Sequence, residues 1–94
     1  MVEVSAIVPA YNERKTLRES VTRISKRLKE IAEDYEIILA EDGSTDGTYE
    51  LAKAISMKDG KIVLLHSDQR LGKGGAVTSA IWASKGDIIV MVDA

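Results

Sequence analysis

The chain of 94 residues contains no cysteine, one proline and one histidine. Without cysteine it has neither a disulfide framework nor a metal site built from thiolates. No apolar run approaches the roughly 20 residues of a membrane-spanning helix. The opening residues, Met1 to Ser5, lack the basic and long apolar regions of a signal peptide, so we expect no leader. We therefore expect a cytoplasmic protein.

Charge of neither sign dominates, since 13 basic and 15 acidic residues leave a formal net charge of -2. Such a balance produces no global field that would attract nucleic acid, and we expect no nucleic-acid partner. The composition, 45% hydrophobic and 30% charged, is that of one small globular domain. Basic residues concentrate in the first predicted helix. We interpret them as a solvated face, with a surface for lipid phosphates as the alternative.

Short apolar segments alternate with longer amphipathic segments along the chain. The apolar segments are too short for helices and predict strands at residues 2–8, where Pro9 stops the strand, 37–40, 62–65 and 88–92. The segments between them predict helices at about 17–34, 48–57 and 76–85, with Gly86 as the C-cap of the third helix. Right-handed crossovers then place the strands in a parallel sheet with helices on both faces. The pattern predicts an α/β fold of three layers.

Polar residues follow three of the four predicted strands at their carboxyl ends. They lie at 9–13, at 41–46 and at Asp93. Because the carboxyl ends of parallel strands meet at one edge of the sheet, we expect these residues to form a ligand-binding crevice. Glu41 and Asp42 would form its acidic tip, and Gly43 a tight turn. The alternative is that the acids are only turn and cap residues.

The expected crevice has carboxylates but no nucleophile paired with a histidine. Carboxylates without histidine or cysteine suit a hard cation, Mg²⁺ or Mn²⁺, which would bridge to phosphate. They also accept hydrogen bonds from base N–H groups and ribose hydroxyls. We therefore predict that a nucleotide diphosphate and a metal bind here. His66 has no visible partner, so we assign it no ligand or base role, and we interpret Trp82 as a packing residue.

Residues 66–75 form a polar, glycine-rich segment after the third strand. Its Gly72-Lys73-Gly74-Gly75 is not a Walker A loop, because glycine and not serine or threonine follows the lysine. It is not a dinucleotide fingerprint either, since Val77 stands where the third glycine or alanine belongs. Two interpretations stay open, a flexible crossing into the helix and a phosphate site at Lys73.

Four motifs together resemble the family 2 glycosyltransferases of the GT-A fold, and most of all the dolichyl-phosphate mannose synthases. They are residues 7–13 (IVPAYNE), 41–48 (EDGSTDGT), 71–76 (LGKGGA) and 86–94 (GDIIVMVDA). They occur in the order and spacing of the family and cover essentially the whole chain. The resemblance implies the Rossmann-like nucleotide-diphospho-sugar transferase fold with sheet order 3-2-1-4.

The resemblance also implies a GDP- or UDP-sugar donor. The residues that it places at the nucleotide sugar are Pro9, Ala10, Tyr11, Glu13, Ala40, Asp42, Lys73, Asp93 and Ala94. Asp93 and Ala94 would begin a D-x-D motif, in which Asp93 would bind Mg²⁺ or Mn²⁺ on the diphosphate. The implied reaction transfers the sugar with inversion to an acceptor such as a polyprenyl or dolichyl phosphate. The base would come from the second half of the domain, so no catalytic residue is assigned within the chain.

Two departures from the family pattern bear on these expectations. Glu41 stands where the family usually has aspartate, which we expect to be tolerated because Asp42 is retained. The chain ends at Ala94, before the second acid of D-x-D. We therefore expect residues 1–94 to be the N-terminal nucleotide-sugar-binding part of a larger glycosyltransferase, inactive alone. The intact enzyme would work at the cytoplasmic face of a membrane.

Two other functions and one association remain open. One is a sugar-nucleotide pyrophosphorylase-like nucleotidyltransferase, although its glycine-rich basic loop is missing at residues 10–13. The other is a non-catalytic module that binds a nucleotide or a partner. The fourth strand, at 88–92, has no charge or proline to protect an open edge, so we expect self-association through it.

Overall fold

The computed structural model describes residues 1–92, apart from the side chain of Lys73. The strands are β1 (Val4–Ala10), β2 (Tyr35–Asp42), β3 (Ile62–Ser67) and β4 (Ile88–Met91). The helices are α1 (Leu17–Ile31), α2 (Thr48–Lys58) and α3 (Lys73–Ala83), and no described helix is long and apolar enough to cross a membrane. All strands pair in parallel in the order β3-β2-β1-β4. The predicted α/β fold and sheet order are confirmed.

The sheet is covered on both faces, because successive strand residues point to opposite sides. On one face α1 and α2 pack over the larger part of the core, in which Val8, Leu17 and Leu39 are fully buried. On the other face Ala80 of α3 packs with Ile7 of β1 in a smaller cluster. Alanine at this contact keeps α3 close to the strands. The three predicted layers are therefore present.

The face that carries α3 is thinly covered. Trp82 is 85% exposed, so its predicted packing role is wrong. It lies two residues after the buried Ala80, which is roughly 200° around the helix and places it on the solvent side. At the edge of the sheet, the apolar residues of β4 are exposed on both faces, with Ile88 at 60%.

β1 continues past the predicted stop at Pro9 and ends at Ala10. Backbone groups alternate in direction along a strand, and the carbonyl of Ile7 accepts the N–H of Val92 on the β4 side. Pro9, two residues later, faces the same side, beyond the last paired residue, Met91. An N–H at this position would donate to the carbonyl of Val92, so proline ends the β1–β4 ladder at the pair of Ile7 and Met91.

β2 is longer than predicted and includes both acids of the expected tip. Glu41 pairs with Ala10 of β1, and Asp42 pairs with Ser67 of β3, so the neighbouring strands extend equally far. The turn begins only at Gly43, whose φ of 66° is in the left-handed region that favours glycine. Glu41 and Asp42 are thus held by the sheet and are not turn residues.

Tertiary hydrogen bonds, and not local signals, set two helix ends. α1 stops at Ile31 and not near Asp34, because the Glu3 carboxylate accepts the N–H groups of Glu33 at 2.9 Å and Asp34 at 3.2 Å. These bonds hold the chain extended as it enters β2.

The third helix begins at Lys73 and ends at Ala83, so the predicted C-cap at Gly86 is wrong. The N–H of Lys85 donates to Glu36 Oε2 at 2.7 Å, and that of Gly86 donates to Ser5 Oγ at 2.8 Å. These bonds draw the segment after α3 onto the sheet. The glycines after Gly72 belong to the first turn of α3.

The close approach of Gly86 to β1 predicts a contrast between two glycine substitutions. A Cβ at Gly86 would lie 2.6 Å from Ser5 N and Oγ, so Gly86→Ala should lower the free energy of unfolding by about 1–3 kcal/mol. A Cβ at Gly74, in α3, meets nothing within 4 Å, and Gly74→Ala should raise it by about 0.5 kcal/mol. Urea unfolding of both variants measures the difference. Equal effects would contradict the contact at Gly86.

Candidate functional site

The carboxyl ends of β1, β2 and β3 meet at one edge of the sheet. We call the segments that follow these strands, residues 11–16, 43–47 and 68–72, the rim. The structure brings together the predicted residues at 9–13 and at 40–46 here, and it adds the β3–α3 segment. The predicted site residues Asp93 and Ala94 lie outside the described residues.

Asn12 joins the first and second segments of the rim. Its φ is 51°, a left-handed conformation that asparagine tolerates better than most residues. Its N–H donates to Ser44 Oγ at 3.0 Å, and its Oδ1 accepts the N–H of Thr45 at 2.9 Å. This reciprocal pair places Tyr11 beside the end of β2.

A second link runs from Glu13 to the start of α2. The Thr48 side chain is completely buried, and its Oγ1 accepts the N–H of Glu13 at 2.9 Å and donates to Asp46 Oδ1. Asp46 also accepts the N–H groups of Thr48 at 3.0 Å and Arg14 at 3.3 Å. The hydrogen bond from the Thr48 hydroxyl is the main cause that lowers the pKa of Asp46 below 3.8, and the bonds from the N–H groups add to it. Burial acts in the opposite direction and is outweighed. Asp46 is thus a structural residue of the rim.

Asp42 holds the third segment of the rim. Its side chain is almost completely buried; its Oδ1 accepts the N–H of Leu71 at 2.6 Å, and Arg70 Nε lies 3.8 Å from its Oδ2. A Cβ at Gly43 would lie 2.8 Å from Arg70 N, so glycine permits the close contact between the two segments. The end of β2 and the β3–α3 segment therefore form one surface.

Arg70 is a site residue that the sequence analysis missed. Its guanidinium carbon lies 3.7 Å from the centroid of the Tyr11 ring, a cation–π contact, while its Nε faces Asp42. The only signal in the sequence was its place immediately before the motif that begins at Leu71. The arrangement offers a flat aromatic and guanidinium surface beside a carboxylate, which suits a planar ligand that carries N–H donors.

The small residues implied at the nucleotide lie at the ends of β1 and β2. Ala10 and Ala40 are 1% and 2% exposed, and Pro9 is half-buried. Glu13 is half-buried, and its carboxylate accepts the Thr16 hydroxyl at 3.4 Å. Ala40 packs in the smaller cluster under α3, whereas Ala10 packs in the larger cluster on the opposite face.

The interpretation of His66 as a residue without a partner is wrong. Its Nδ1 hydrogen-bonds Glu41 Oε1, its Nε2 lies 2.6 Å from Asp68 Oδ1, and its ring stacks on Tyr49 at 3.7 Å. The N–H of Ser44 donates to the other oxygen of Glu41 at 2.6 Å. The signal was the register of two parallel strands, which pairs Glu41 with His66.

The structure decides against one of the two open interpretations of the glycine-rich segment, the flexible crossing. Gly72, with φ of 84°, is the N-cap residue of α3, and Lys73 is its first residue. A flexible crossing is thus replaced by the first turn of a helix. The N-terminus of α3 faces the rim, next to Leu71.

Within residues 1–92, no group of three or more histidine, aspartate and glutamate side chains is arranged to hold a metal ion. Both oxygens of Glu41 and Oδ1 of Asp42 are already hydrogen-bonded, by His66, Ser44 and Leu71. The described residues therefore form no ready-made cation site at this edge.

The Thr48 link predicts a pH-dependent effect on stability. Thr48→Val leaves the Glu13 N–H without its acceptor and should lower the free energy of unfolding by about 1–3 kcal/mol at neutral pH. Because the folded pKa of Asp46 is lowered, its stabilisation is present above 3.8 and is lost as the pH falls through the folded pKa. The difference from the wild type should therefore shrink in acid.

Thr48→Ser is the matched control, since it keeps the hydroxyl and removes one methyl group. It should cost about 1 kcal/mol at every pH. Urea unfolding at a series of pH values measures all three proteins. A constant difference between wild type and Thr48→Val would remove the Thr48–Asp46 bond as the cause.

Known proteins share this fold and these motifs. A family model described as "Glycosyl transferase family 2" matches residues 5–94. Glycosyltransferase AglD of Haloferax volcanii is 43% identical over 94 residues, which cover 98% of this chain and 15% of that protein. Dolichyl-phosphate beta-glucosyltransferase ALG5C of Trichomonas vaginalis is 40% identical over 98 residues, which cover 99% of this chain and 29% of that protein.

A solved structure agrees with the sequence relatives. The mannosyltransferase PcManGT from Pyrobaculum calidifontis, in complex with GDP-Man and Mn²⁺, superposes with a TM-score of 0.85 at 27% identity. The match covers 97% of this chain and 27% of that one, and the chain spans 15% to 29% of the length of these three proteins. Since the family model matches almost the whole chain, the chain belongs to glycosyl transferase family 2.

Proposed function

We propose that this chain forms the nucleotide-sugar-binding part of a glycosyltransferase that uses a GDP- or UDP-sugar donor. The observation that carries the proposal is the convergence of Tyr11, Asp42 and Arg70 at the carboxyl edge of the sheet. In parallel α/β sheets this edge is the usual place of ligand sites. The PcManGT complex with GDP-Man and Mn²⁺ supports a nucleotide sugar as the ligand.

In this proposal the base lies against the Tyr11–Arg70 surface. Guanine and uracil are both planar and both carry N–H donors, and a carboxylate such as that of Asp42 is an acceptor only. At 3.8 Å, the Asp42 to Arg70 contact is longer than a hydrogen bond, so a base or ribose donor could take its place. Pro9, Ala10 and Ala40 would form the floor of the pocket, with Glu13 at its side.

The diphosphate would extend towards the start of α3 and the end of β4. Lys73 would approach a phosphate, and Asp93 with Ala94 would reach the ribose and a metal ion. A bound Mg²⁺ or Mn²⁺ would neutralise charge on the leaving diphosphate. The Mn²⁺ of the PcManGT complex supports the use of a divalent cation.

The acceptor in this proposal is a polyprenyl or dolichyl phosphate, and transfer inverts the anomeric carbon at the cytoplasmic face of a membrane. The name of the relative ALG5C, a dolichyl-phosphate glucosyltransferase, supports this acceptor class. Residues 1–94 hold one acid of the D-x-D motif, so we expect them to bind the donor without transferring sugar. The family match favours this function over a nucleotidyltransferase.

Removal of the Asp42 carboxylate tests the donor site. Asp42→Ala should weaken binding of GDP and UDP by about 1–3 kcal/mol, the scale of a lost charged hydrogen bond. Asp34→Ala is the matched control, because Asp34 lies before the opposite end of β2 and pairs with Lys61 at 3.3 Å. Calorimetry with both nucleotides measures the effect. Equal affinity of wild type and Asp42→Ala would remove Asp42 from the site.

The exposed fourth strand carries a separate proposal of self-association. All four residues of β4 are exposed, and Met91 is 48% exposed although it lies within the sheet. Apolar sheet edges without charge or cover pair readily with other chains. Sedimentation of the 94 residues over a concentration series should show reversible association, which Val90→Lys should reduce. A monomer at every concentration would contradict the proposal.

A further inference from the structure

The contacts of His66 form a connected bridge across the rim. We call the series Asp68–His66–Glu41–Ser44 the His66 bridge. The ring links Asp68, in the segment after β3, to Glu41 at the end of β2. Glu41 also accepts the N–H of Ser44, and Ser44 Oγ accepts the N–H of Asn12 at 3.0 Å. One histidine therefore connects the segments that follow all three strands.

The surroundings of the ring favour its charged form. Both ring nitrogens face carboxylate oxygens, and only the imidazolium can donate from both. The titratable groups that contact the ring are Glu41 from β2, Tyr49 from α2 and Asp68 beyond β3. Burial disfavours the charge, but the hydrogen bonds and negative charges of Glu41 and Asp68 outweigh it and raise the pKa of His66 above 6.5.

The bridge borders the groups of the proposed donor pocket without belonging to it. Asp42 follows Glu41 directly on β2 and accepts the N–H of Leu71. Gly43, the next residue, lies against the backbone of Arg70. Arg70 follows the last residue of β3, Ser67, by three positions. A shift of Glu41 relative to the β3–α3 segment would therefore move Asp42 away from Arg70.

We propose that His66 is a positioning residue for the donor pocket. Its bridge holds Asp42 and Arg70 in place only while both ring nitrogens carry protons. The proposal rests on the proposed function, since it names the groups that His66 positions for a nucleoside diphosphate. His66 itself touches no part of the ligand. Its effect reaches the ligand through Asp42 and Arg70.

The direction of the pH dependence follows from the geometry. Because the folded pKa of His66 is raised, the bridge is complete below 6.5 and is lost as the pH rises through the folded pKa. Nucleotide affinity should fall in that window by about five- to tenfold, the scale of one net hydrogen bond. A residue that only filled space would leave the affinity unchanged there.

The test uses the fact that the chain has one histidine. The ring proton signal in NMR then reports the titration of His66 without ambiguity. GDP and UDP affinities are measured by calorimetry over the same pH series. Because the diphosphate titrates too, each affinity profile is compared with that of His66→Gln, which should lack the step assigned to His66.

Asp68→Asn is the decisive variant. The Asp68 side chain is 94% exposed, so its loss should spare the fold, yet it removes one of the two carboxylates that favour the charged ring. The midpoints of the NMR titration and of the affinity step should both move to lower pH. Asp87→Asn, the same change of charge at an exposed residue just before β4, should move neither. An affinity step that stays in place while the NMR midpoint moves would overturn the proposal.

The backbone signals separate this proposal from the proposed function. The amide signals of Ser44 and Leu71 should follow the His66 titration, and that of Asp87 should not. If neither nucleotide binds at any pH, the proposed function fails. The His66 bridge is then tested by the amide signals alone. If the amide signals of Ser44 and Leu71 do not change as His66 titrates, the positioning role is overturned, even if both nucleotides bind.

Discussion

Glu41 and Asp42 end a central strand with two adjacent carboxylates that are only 2% and 3% exposed. A buried carboxylate is costly unless donors surround it, so each must collect N–H groups from nearby segments. Successive strand residues point to opposite sides, and the two acids therefore recruit different partners. Glu41 hydrogen-bonds Ser44 and His66, whereas Asp42 accepts the N–H of Leu71 and has Arg70 nearby. The shape of the rim depends on satisfying this pair.

The same requirement explains why the two adjacent acids differ in their remaining capacity to accept hydrogen bonds. Glu41 is committed to structure, with donors on both oxygens. Asp42 has a short bond to Leu71 on one oxygen but only a long contact to Arg70 on the other. Asp42 thus keeps accepting capacity for a ligand donor, while Arg70 partly balances its charge. One acid holds the rim together, and its neighbour remains available for binding.

The sequence was sufficient for the elements and for the edge of the sheet at which the candidate residues meet. Continuous apolar runs and helical spacing predicted every strand and helix, and polar residues after β1 and β2 predicted the edge at which they meet. Local sequence patterns did not predict the structure correctly where groups distant in the sequence determine a helix end or a contact. Glu3 ends α1, Ser5 and Glu36 draw in the segment at Gly86, and His66 and Leu71 contact acids 25 and 29 residues away. These contacts depend on strand register, which hydrophobic patterning alone does not specify.

The central claim is that the carboxyl edge of the sheet binds a nucleoside diphosphate. Chemical-shift mapping of the assigned amide spectrum tests it most directly, with GDP and UDP added in the presence of Mg²⁺. The account predicts that the shifts concentrate at Tyr11, Asp42 and Arg70 and saturate with one site. Amides at the opposite edge, such as those of Asp34 and Lys61, should stay in place. Shifts confined to that opposite edge, or none with either nucleotide, would contradict it.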